Sequence, residues 1–535
     1  MAQTKYQNSL AFDLSSLNPP SDFGPRLGKL SLNRPDAMLE ILTPGIITST
    51  SRGVVPHLSR DNTRATDAIR WVHVPFETFL EHSPPVPILQ PGPHPLHKFL
   101  GFLPRKHIVT MSLRDPFDAR EMPSNGNNFV TAYCIRGVRQ VGRSDWRKYV
   151  LACDPDIVIA LPDIPFTPGP HSQKRVMKSI ERSTAWLSDL LQPIPLDSDA
   201  RTDKSESHPA PRLNVFVHMA GGTATTAREA FSQSLVEPLY GNETSSIRPF
   251  KTFDEGVAGY TFDLIPLHQS LSTPPPSITP TPAPSRTPTP FIASLSPLPR
   301  SKPRIVHSAG SPHEMLVLIR DVGIDLFDAH WAQRAADIGV ALDFVFPTAS
   351  SAEPEPSQKN LGHNLYDTRY AKDFSPFSDV LRTSRDQDSS DVDVLPSCPC
   401  IACSPTRPLH PIHHSALDGP TLVTPSSTPP PAPFTRAYVH HLLHTHEMSA
   451  HTLLASHNLS MLDIFFGDVR RLLVERPEEF EAEVAKFVKL YDGSLKVFGE
   501  AKKCWAEVEL ARGKGRLARE KQKQDEDTLG TAVEL

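Results

Sequence analysis

Six short apolar runs punctuate the chain before residue 350: 107-HIVTMSL-113, 156-DIVIAL-161, 213-LNVFVHM-219, 258-AGYTFDL-264, 304-RIVHSA-309 and 341-ALDFVF-346. They are rich in Val, Ile and Phe, and Pro, Asp or Gly bounds most of them. Near-continuous apolar runs of this kind predict strands buried on both faces, as in a parallel sheet. Between several of them the apolar residues shift to three- and four-residue spacing, which predicts helices over 173–192, 223–239 and 312–328. Repeated strand-then-helix units argue for a parallel α/β fold, and units over roughly 300 residues suit a (β/α)8 barrel better than an open sheet.

The pattern changes after residue 434. Residues 434–475 read as almost continuously helical, with Tyr438, Leu442, Leu443, Leu453, Leu454, Met461, Ile464 and Phe465 on one stripe. A charged helix is expected over 478–524, followed by a polar tail. Two stretches, 271–303 and 404–434, are rich in Pro, Ser and Thr and lack apolar periodicity. They cannot bury enough surface to offset their ordering entropy, so they read as disordered or extended insertions. The polar stretches 196–210 and 351–395 have similar character. The expected domains are residues 1–270 and 304–395 as two parts of the barrel, separated by the insertion 271–303. A metal-binding subdomain follows over 396–475, interrupted by the loop 404–434, and then the charged helix and tail over 476–535.

Charge and cysteine use narrow the function classes. A net charge of −5 excludes a uniformly basic nucleic-acid binder but leaves room for a local basic face. The start, MAQTKYQNSLAFDL, lacks the charged-then-apolar pattern of a secretory signal, and no run of about eighteen apolar residues occurs. A soluble, cytoplasmic protein is expected. Three of six cysteines fall in 398-CPCIAC-403, which reads as metal ligation in a reducing compartment rather than a disulfide framework. Three thiolates from one turn need a fourth ligand, and three sulfurs plus one nitrogen is the chemistry of a structural zinc. Spacing leaves the histidine open among His410, His413, His414, His440, His441, His444, His446, His451 and His457.

Those cysteines, followed by Thr435-Arg436-Ala437-Tyr438-Val439-His440-His441-Leu442-Leu443, Glu447 and His457-Asn458, resemble the C-terminal zinc subdomain of the tRNA-guanine transglycosylase family. The resemblance implies one zinc held by Cys398, Cys400, Cys403 and His457. The 53 residues between Cys403 and His457 exceed the family's spacing, but loop closure costs grow only logarithmically with length. The stretches 25-PRLGKLSL-32, 43-TPGIITSTSRGVVPHLSRD-61 and 321-DVGIDLFD-328 resemble the family's barrel landmarks. The implied fold is a (β/α)8 TIM barrel with an inserted C-terminal zinc-binding subdomain.

The family exchanges guanine in a tRNA anticodon for a deazaguanine, using an aspartate nucleophile and a second aspartate for protons. The resemblance places the nucleophile at Asp328, in a changed context, Ala329-His330-Trp331-Ala332. It places the proton-handling position at Met111 of 110-TMSLRDP-116, and a thioether cannot do that work. A Gln-Gly-Gly segment becomes Ala220-Gly221-Gly222, Tyr260 and Phe262 are expected to crowd a planar ligand, and Asp163 resembles a base-recognising aspartate. This pattern is similar to that of non-catalytic eukaryotic members, which pair as heterodimers with a catalytic subunit of the same fold. The implied role is to support exchange of guanine for queuine at the wobble position of tRNAs with GUN anticodons, those for aspartate, asparagine, histidine and tyrosine. Two further readings stay open: a divergent catalyst using Asp328 with Asp115 or Asp163 as base, and a zinc-bearing scaffold. Arg436, Arg470, Arg471 and Lys489 are candidates for phosphate contact. Attachment to the outer mitochondrial surface is implied by the resemblance alone.

Overall fold

Runs of Val, Ile and Phe can be buried on both faces only inside a sheet covered on both sides, and a closed barrel supplies that. The computed structural model describes residues 9–18, 21–35, 37–118, 120–164, 171–194, 211–265, 267–268, 288–348, 358–381, 398–405 and 432–511. These cluster into two compact units: 1–56, 67–331 and 463–485 form the first, and 57–66, 332–462 and 486–535 the second. The division differs from the one expected, because residues 332–381 group with the cysteine loop and 463–485 with the barrel.

The first unit begins with an antiparallel sheet, β1 (Ser9–Leu14), β2 (Gly28–Arg34) and β3 (Ala37–Thr43). Eight parallel strands then close into a barrel: β4 (Gly45–Ser49), β5 (Trp71–Pro75), β6 (Ile108–Ser112), and, after the hairpin β7 (Phe129–Cys134) and β8 (Gly137–Gly142), β9 (Ile157–Ile159), β10 (Val215–His218), β11 (Gly259–Asp263), β12 (Arg304–His307) and β13 (Leu326–Asp328). Strand β13 pairs back onto β4, Leu326 beside Gly45, which closes the ring. Leu30, Leu32 and Ile41 of the small sheet share one core with Ile47, Trp71, Ile108, Ile157, Phe216, Ile305 and Leu326. Those barrel residues lie early in their strands, so the sheet fills the N-terminal end of the barrel. The opposite end, where barrel enzymes place their chemistry, is left to the loops.

Several expectations need correction. The run 341–346 is not a barrel strand: β14 (Val340–Leu342) pairs antiparallel with β15 (Gly362–Asn364) in the second unit. Its apolar character reflects burial there, not membership of the parallel sheet. The helix expected over 312–328 stops at Val322, because Gly323 turns left-handed at φ +75° and a Cβ there would meet the Gly24 carbonyl at 2.5 Å. The last residues of that stretch are β13. The Pro-rich stretch 271–303 ends in a helix, Pro288–Leu295, that buries Phe291 and Leu295. Proline tolerated near its start hid it. The polar stretch 351–395 contains β15 and a short helical turn, Thr368–Lys372, with Leu361, Leu365, Tyr370 and Phe377 buried.

The long C-terminal helix is two, Arg436–His444 and Met448–Glu475. The charged one is also broken, into Phe480–Leu490 and a run over 496–511. Residues 196–210, 271–287, 351–357, 382–395, 406–431 and the tail beyond 511 lie outside the described residues. Among the described residues no helix is long and apolar enough to cross a membrane.

Candidate metal centre and barrel mouth

In the second unit, the turn 398–403 brings Cys398, Cys400 and Cys403 against His457 of the helix Met448–Glu475, all four buried. His457 Nδ1 lies 3.6, 3.6 and 3.5 Å from the three sulfurs. A tetrahedral ion with nitrogen at about 2.0–2.1 Å and sulfur at about 2.3 Å separates the two by about 3.6 Å. The residues therefore fit a metal. The other ring nitrogen, Nε2, donates to the Leu342 carbonyl at 2.9 Å, which leaves the Nδ1 lone pair facing the sulfurs.

Asn458 fixes the strand that supplies that carbonyl. Its oxygen accepts from the Leu342 N–H at 2.9 Å, and its amide donates to Val340 at 2.9 Å and Ala332 at 3.1 Å. The histidine and the asparagine after it are thus one device. The competing histidines have other work: His440 and His444 bond the carbonyls of Leu365 and Tyr366, and His451 that of Ala336. His410, His413 and His414 lie outside the described residues.

A second convergence, Asp343, His363 and Asp379, already has its cation. The Arg436 guanidinium sits 2.9 Å from His363 Nε2 and 2.8 Å from Asp379. Arg436 is 6% exposed, so it is not a phosphate contact. Arg470 is half-buried and donates to the Pro44 carbonyl at 2.5 Å, Arg471 pairs with Asp468, and Lys489 is exposed.

In the first unit, strand pleat decides which side chains enter the barrel. Trp71 and Phe216, on strands that are not neighbours, meet edge-on at 6.4 Å and so mark the interior. Two residues further along, the interior turns polar. His73 Nε2 lies 2.9 Å from Ser112 Oγ, the His73 and His307 rings are 4.9 Å apart, His218 Nε2 is 2.9 Å from Asp263, and His307 Nδ1 is 3.5 Å from Asp328. Burial and the nearby His307 hold His73 well below its usual pKa. For His307 burial opposes charge, but the Asp328 and Asp263 carboxylates outweigh it and raise the pKa. A histidine at the C-terminal end of β10 and β12 and in the middle of β5 was the available signal, and the sequence reading missed it.

Asp328 has no exposure. One carboxylate oxygen accepts from the Ser308 N–H and the other from the His330 N–H at 3.1 Å. The loop after β6 lies against this corner: Phe117 stacks on His330 at 3.4 Å and the Ser308 hydroxyl reaches the Pro116 carbonyl at 3.5 Å. Asp163 is equally occupied, by both terminal nitrogens of Arg175 at 2.9 Å, Arg182 at 3.1 Å and Asn125 at 2.8 Å.

Met111 falls on the outer face of β6, and Ser112 takes the inward position. Tyr260 and Phe262 also face outward, against expectation. The Tyr260 hydroxyl donates to Asp254 at 2.6 Å, and Phe262 packs on Phe291 at 4.7 Å. The inward positions of β11 are Gly259, Thr261 and Asp263. Beside the mouth, Glu77, Asp115, Phe117 and Tyr133 line a cavity of about 420 Å³. Burial pushes Glu77 up to about 7 and Asp115 to about 6.

A family model described as queuine tRNA-ribosyltransferase matches residues 22–246 and 289–492. Among similar chains, one from Xenopus tropicalis is 26% identical over 464 residues, covering 84% of this chain and 94% of its own. One from Schizosaccharomyces pombe is 26% identical over 482 residues, covering 89% and 83%. One from Gallus gallus is 24% identical over 476 residues, covering 84% and 92%. All three bear the name queuine tRNA-ribosyltransferase accessory subunit 2.

Proposed function

The chain belongs to the queuine tRNA-ribosyltransferase family, and we propose that it is the accessory, non-catalytic subunit of that enzyme, supporting a catalytic partner of the same fold. The observation that carries this reading is Asp328. A nucleophile must present an oxygen lone pair to the ribose carbon within an open site. Here both oxygens already accept backbone N–H groups, and the side chain is fully buried. Asp163, the other carboxylate suited to reading a base, is saturated by two arginines and an amide. Asp163 cannot act without releasing those partners, and Asp328, whose oxygens each keep a lone pair, has no exposure through which a ribose could reach it. The name carried by the relatives supports the same assignment.

In this reading the partner carries out the exchange of guanine for queuine at the wobble position of tRNAs with GUN anticodons. This chain contributes a rigid second barrel and contacts to the same RNA. The Cys398, Cys400, Cys403 and His457 group holds one zinc, whose chemistry is structural cross-linking with no position left for a reacting group. Its own residues tie turn 398–403 to the helix bearing His457, and through Leu342 to β14. Three reduced thiols in one turn favour a reducing compartment such as the cytosol.

A base-exchange assay with labelled guanine tests this, run with the chain alone, the catalytic partner alone and both. Activity confined to the mixture is expected. Turnover by this chain alone that disappears in Asp328→Asn would overturn the assignment.

A further inference from the structure

The hairpin β7–β8 lies between β6 and β9 in the chain, and its tip is basic. Residues 122–144 contain Arg136, Arg139 and Arg143 and no Asp or Glu, in a chain whose net charge is −5. Arg143 pairs with Asp189 at 2.7 Å. Arg136 and Arg139 are exposed and carry no ion pair among the described residues, and Ile135 and Val138 are exposed beside them. The hairpin itself is firmly held. Val130, Ala132 and Cys134 are buried, the Thr131 N–H donates to Asn125 Oδ1 at 3.0 Å, and Trp186 Nε1 donates to the Asn127 carbonyl at 2.9 Å. Its arginines therefore start from a fixed backbone, which lowers the ordering cost of binding.

At its root the hairpin forms one wall of the cavity of about 420 Å³, and the loop after β6 forms another. Glu77 ties the two walls together. One of its oxygens accepts the Asp115 N–H at 2.9 Å and the other the Tyr133 N–H at 3.2 Å. Two groups in the lining have capacity to spare. Asp115 Oδ1 accepts the Phe117 N–H at 3.0 Å and keeps a second lone pair, while Oδ2 accepts from nothing among the described residues. The Arg120 guanidinium lies over the Tyr133 ring, 3.7 Å from its centroid, and two hydrogen bonds to Asp118 lock it there. Arg120 is exposed, so the other face of its plane is open. A guanidinium plane backed by an aromatic ring is a stacking platform for a nucleobase, and a free carboxylate oxygen suits a base edge that donates N–H. Arg52, also exposed and without an ion pair among the described residues, adds positive charge at the rim. The histidines of the barrel mouth do not line this cavity.

We propose that the hairpin tip and this cavity form a single-nucleotide site for unpaired RNA. The backbone crosses Arg136 and Arg139, and one base leaves the strand, stacks on Arg120 and gives its N–H donors to Asp115. Guanine is the expected base, because its N1–H and N2–H groups are adjacent donors that one carboxylate accepts together. The identification of the strand as RNA rests on the function proposed above. An acidic peptide would satisfy the arginines but would meet the Asp115 carboxylate with like charge.

The test uses the full-length, metal-loaded chain and three fluorescein-labelled RNA hexamers, UUUGUU, UUUIUU with inosine, and UUUUUU, with binding read by anisotropy. Wild type is expected to bind the guanine hexamer about tenfold tighter than the inosine one, which lacks the N2 amino group. The uridine hexamer should bind more weakly still. Asp115→Asn keeps an acceptor for the Phe117 N–H but sets an NH2 group against the donors of the base, so it should bind all three alike. Arg120→Leu should weaken all three about tenfold by removing the stacking plane. Arg136→Gln combined with Arg139→Gln changes only exposed positions. It should weaken all three hexamers and flatten the salt slope by about 1.4, the value for two phosphate contacts on a single strand.

Unchanged affinity and salt slope in the double variant overturn the role of the hairpin. Guanine preference that survives in Asp115→Asn, or no preference in wild type, overturns the role of the cavity. Tighter capture of labelled hexaglutamate than of any hexamer, lost in the double variant, refutes RNA as the occupant. Base exchange confined to the mixture with the catalytic subunit, beside hexamers that do not bind, upholds the accessory assignment and sinks this site. Hexamer binding as expected without that exchange does the reverse, so the two fail separately.

Discussion

Replacing Asp328 by asparagine preserves side-chain shape and removes one of two acceptors. Ser308 and His330 each donate a backbone N–H to a different oxygen of this carboxylate, and the residue is fully buried. Whichever way the amide is turned, its NH2 group faces one of those donors. An unsatisfied buried donor costs about 1–3 kcal/mol. The variant also strips His307, 3.5 Å away, of its charge partner, although that ring can respond by losing its proton. Together these place the loss at about 2–4 kcal/mol. With an m value of about 3 kcal/mol per molar urea, the midpoint falls by about 1 M. Tryptophan fluorescence reads this directly, because Trp71, Trp146 and Trp186 are all buried in the barrel unit.

The same protein is then mixed with the catalytic subunit under conditions where it is folded, and base exchange is measured. The turnover number should match that of the wild-type mixture. An unchanged urea midpoint, together with exchange lowered by about a thousandfold or more, the scale expected for losing a reacting group, would refute the structural role assigned to Asp328.

Further outcomes follow from other sites. Glu77 is raised to about 7 by burial, so the folded state binds its proton more tightly than the unfolded chain. Stability from this group is present below the unfolded pKa of about 4.3 and is lost as pH rises toward 7, by up to about 3 kcal/mol. Urea midpoints between pH 5 and 8 should fall for wild type and stay flatter for Glu77→Gln. Asn458→Ala leaves all four candidate metal ligands but frees β14, so zinc affinity measured by chelator competition should drop about 10–100-fold. His457→Ala should abolish stoichiometric zinc by elemental analysis. Gly323→Ala forces a side chain onto φ +75° and the Gly24 carbonyl, and should destabilise the barrel unit by more than about 1 kcal/mol.

Much of this molecule was legible where one physical cause dominates a stretch of sequence. Strands β6, β9, β10, β11 and β12 were legible because burial on both faces leaves an apolar run that no other element explains as simply. The cysteine turn was legible because three thiols in six residues have few other uses. Where two causes compete, the reading failed. Trp71-Val72-His73-Val74-Pro75 is a full barrel strand, but its histidine points into a polar mouth and its proline closes the strand end, so it did not read as apolar. The Val340–Leu342 run reads as a barrel strand because pattern reports burial and not the partner that provides it.

The face of a strand is harder still, and the site depends on it. Tyr260 and Phe262 look like obstacles to a planar ligand only if they point inward. A shift of one residue in pleat turns both toward the helices and puts Thr261 and Asp263 in the mouth. The same parity sends Met111 outward and Ser112 inward. Substitution at a motif position is therefore weak evidence for lost chemistry until the face is known. What the strand parity supports is different and stronger: three histidines and two aspartates, from β5, β10, β11, β12 and β13, pair with one another where a substrate would otherwise find its partners. A bound base would have to displace those pairs, although the buried His73 Nδ1, His218 Nδ1, His307 Nε2 and Thr261 Oγ1 have no hydrogen-bond partner among the described residues and are what it could bond.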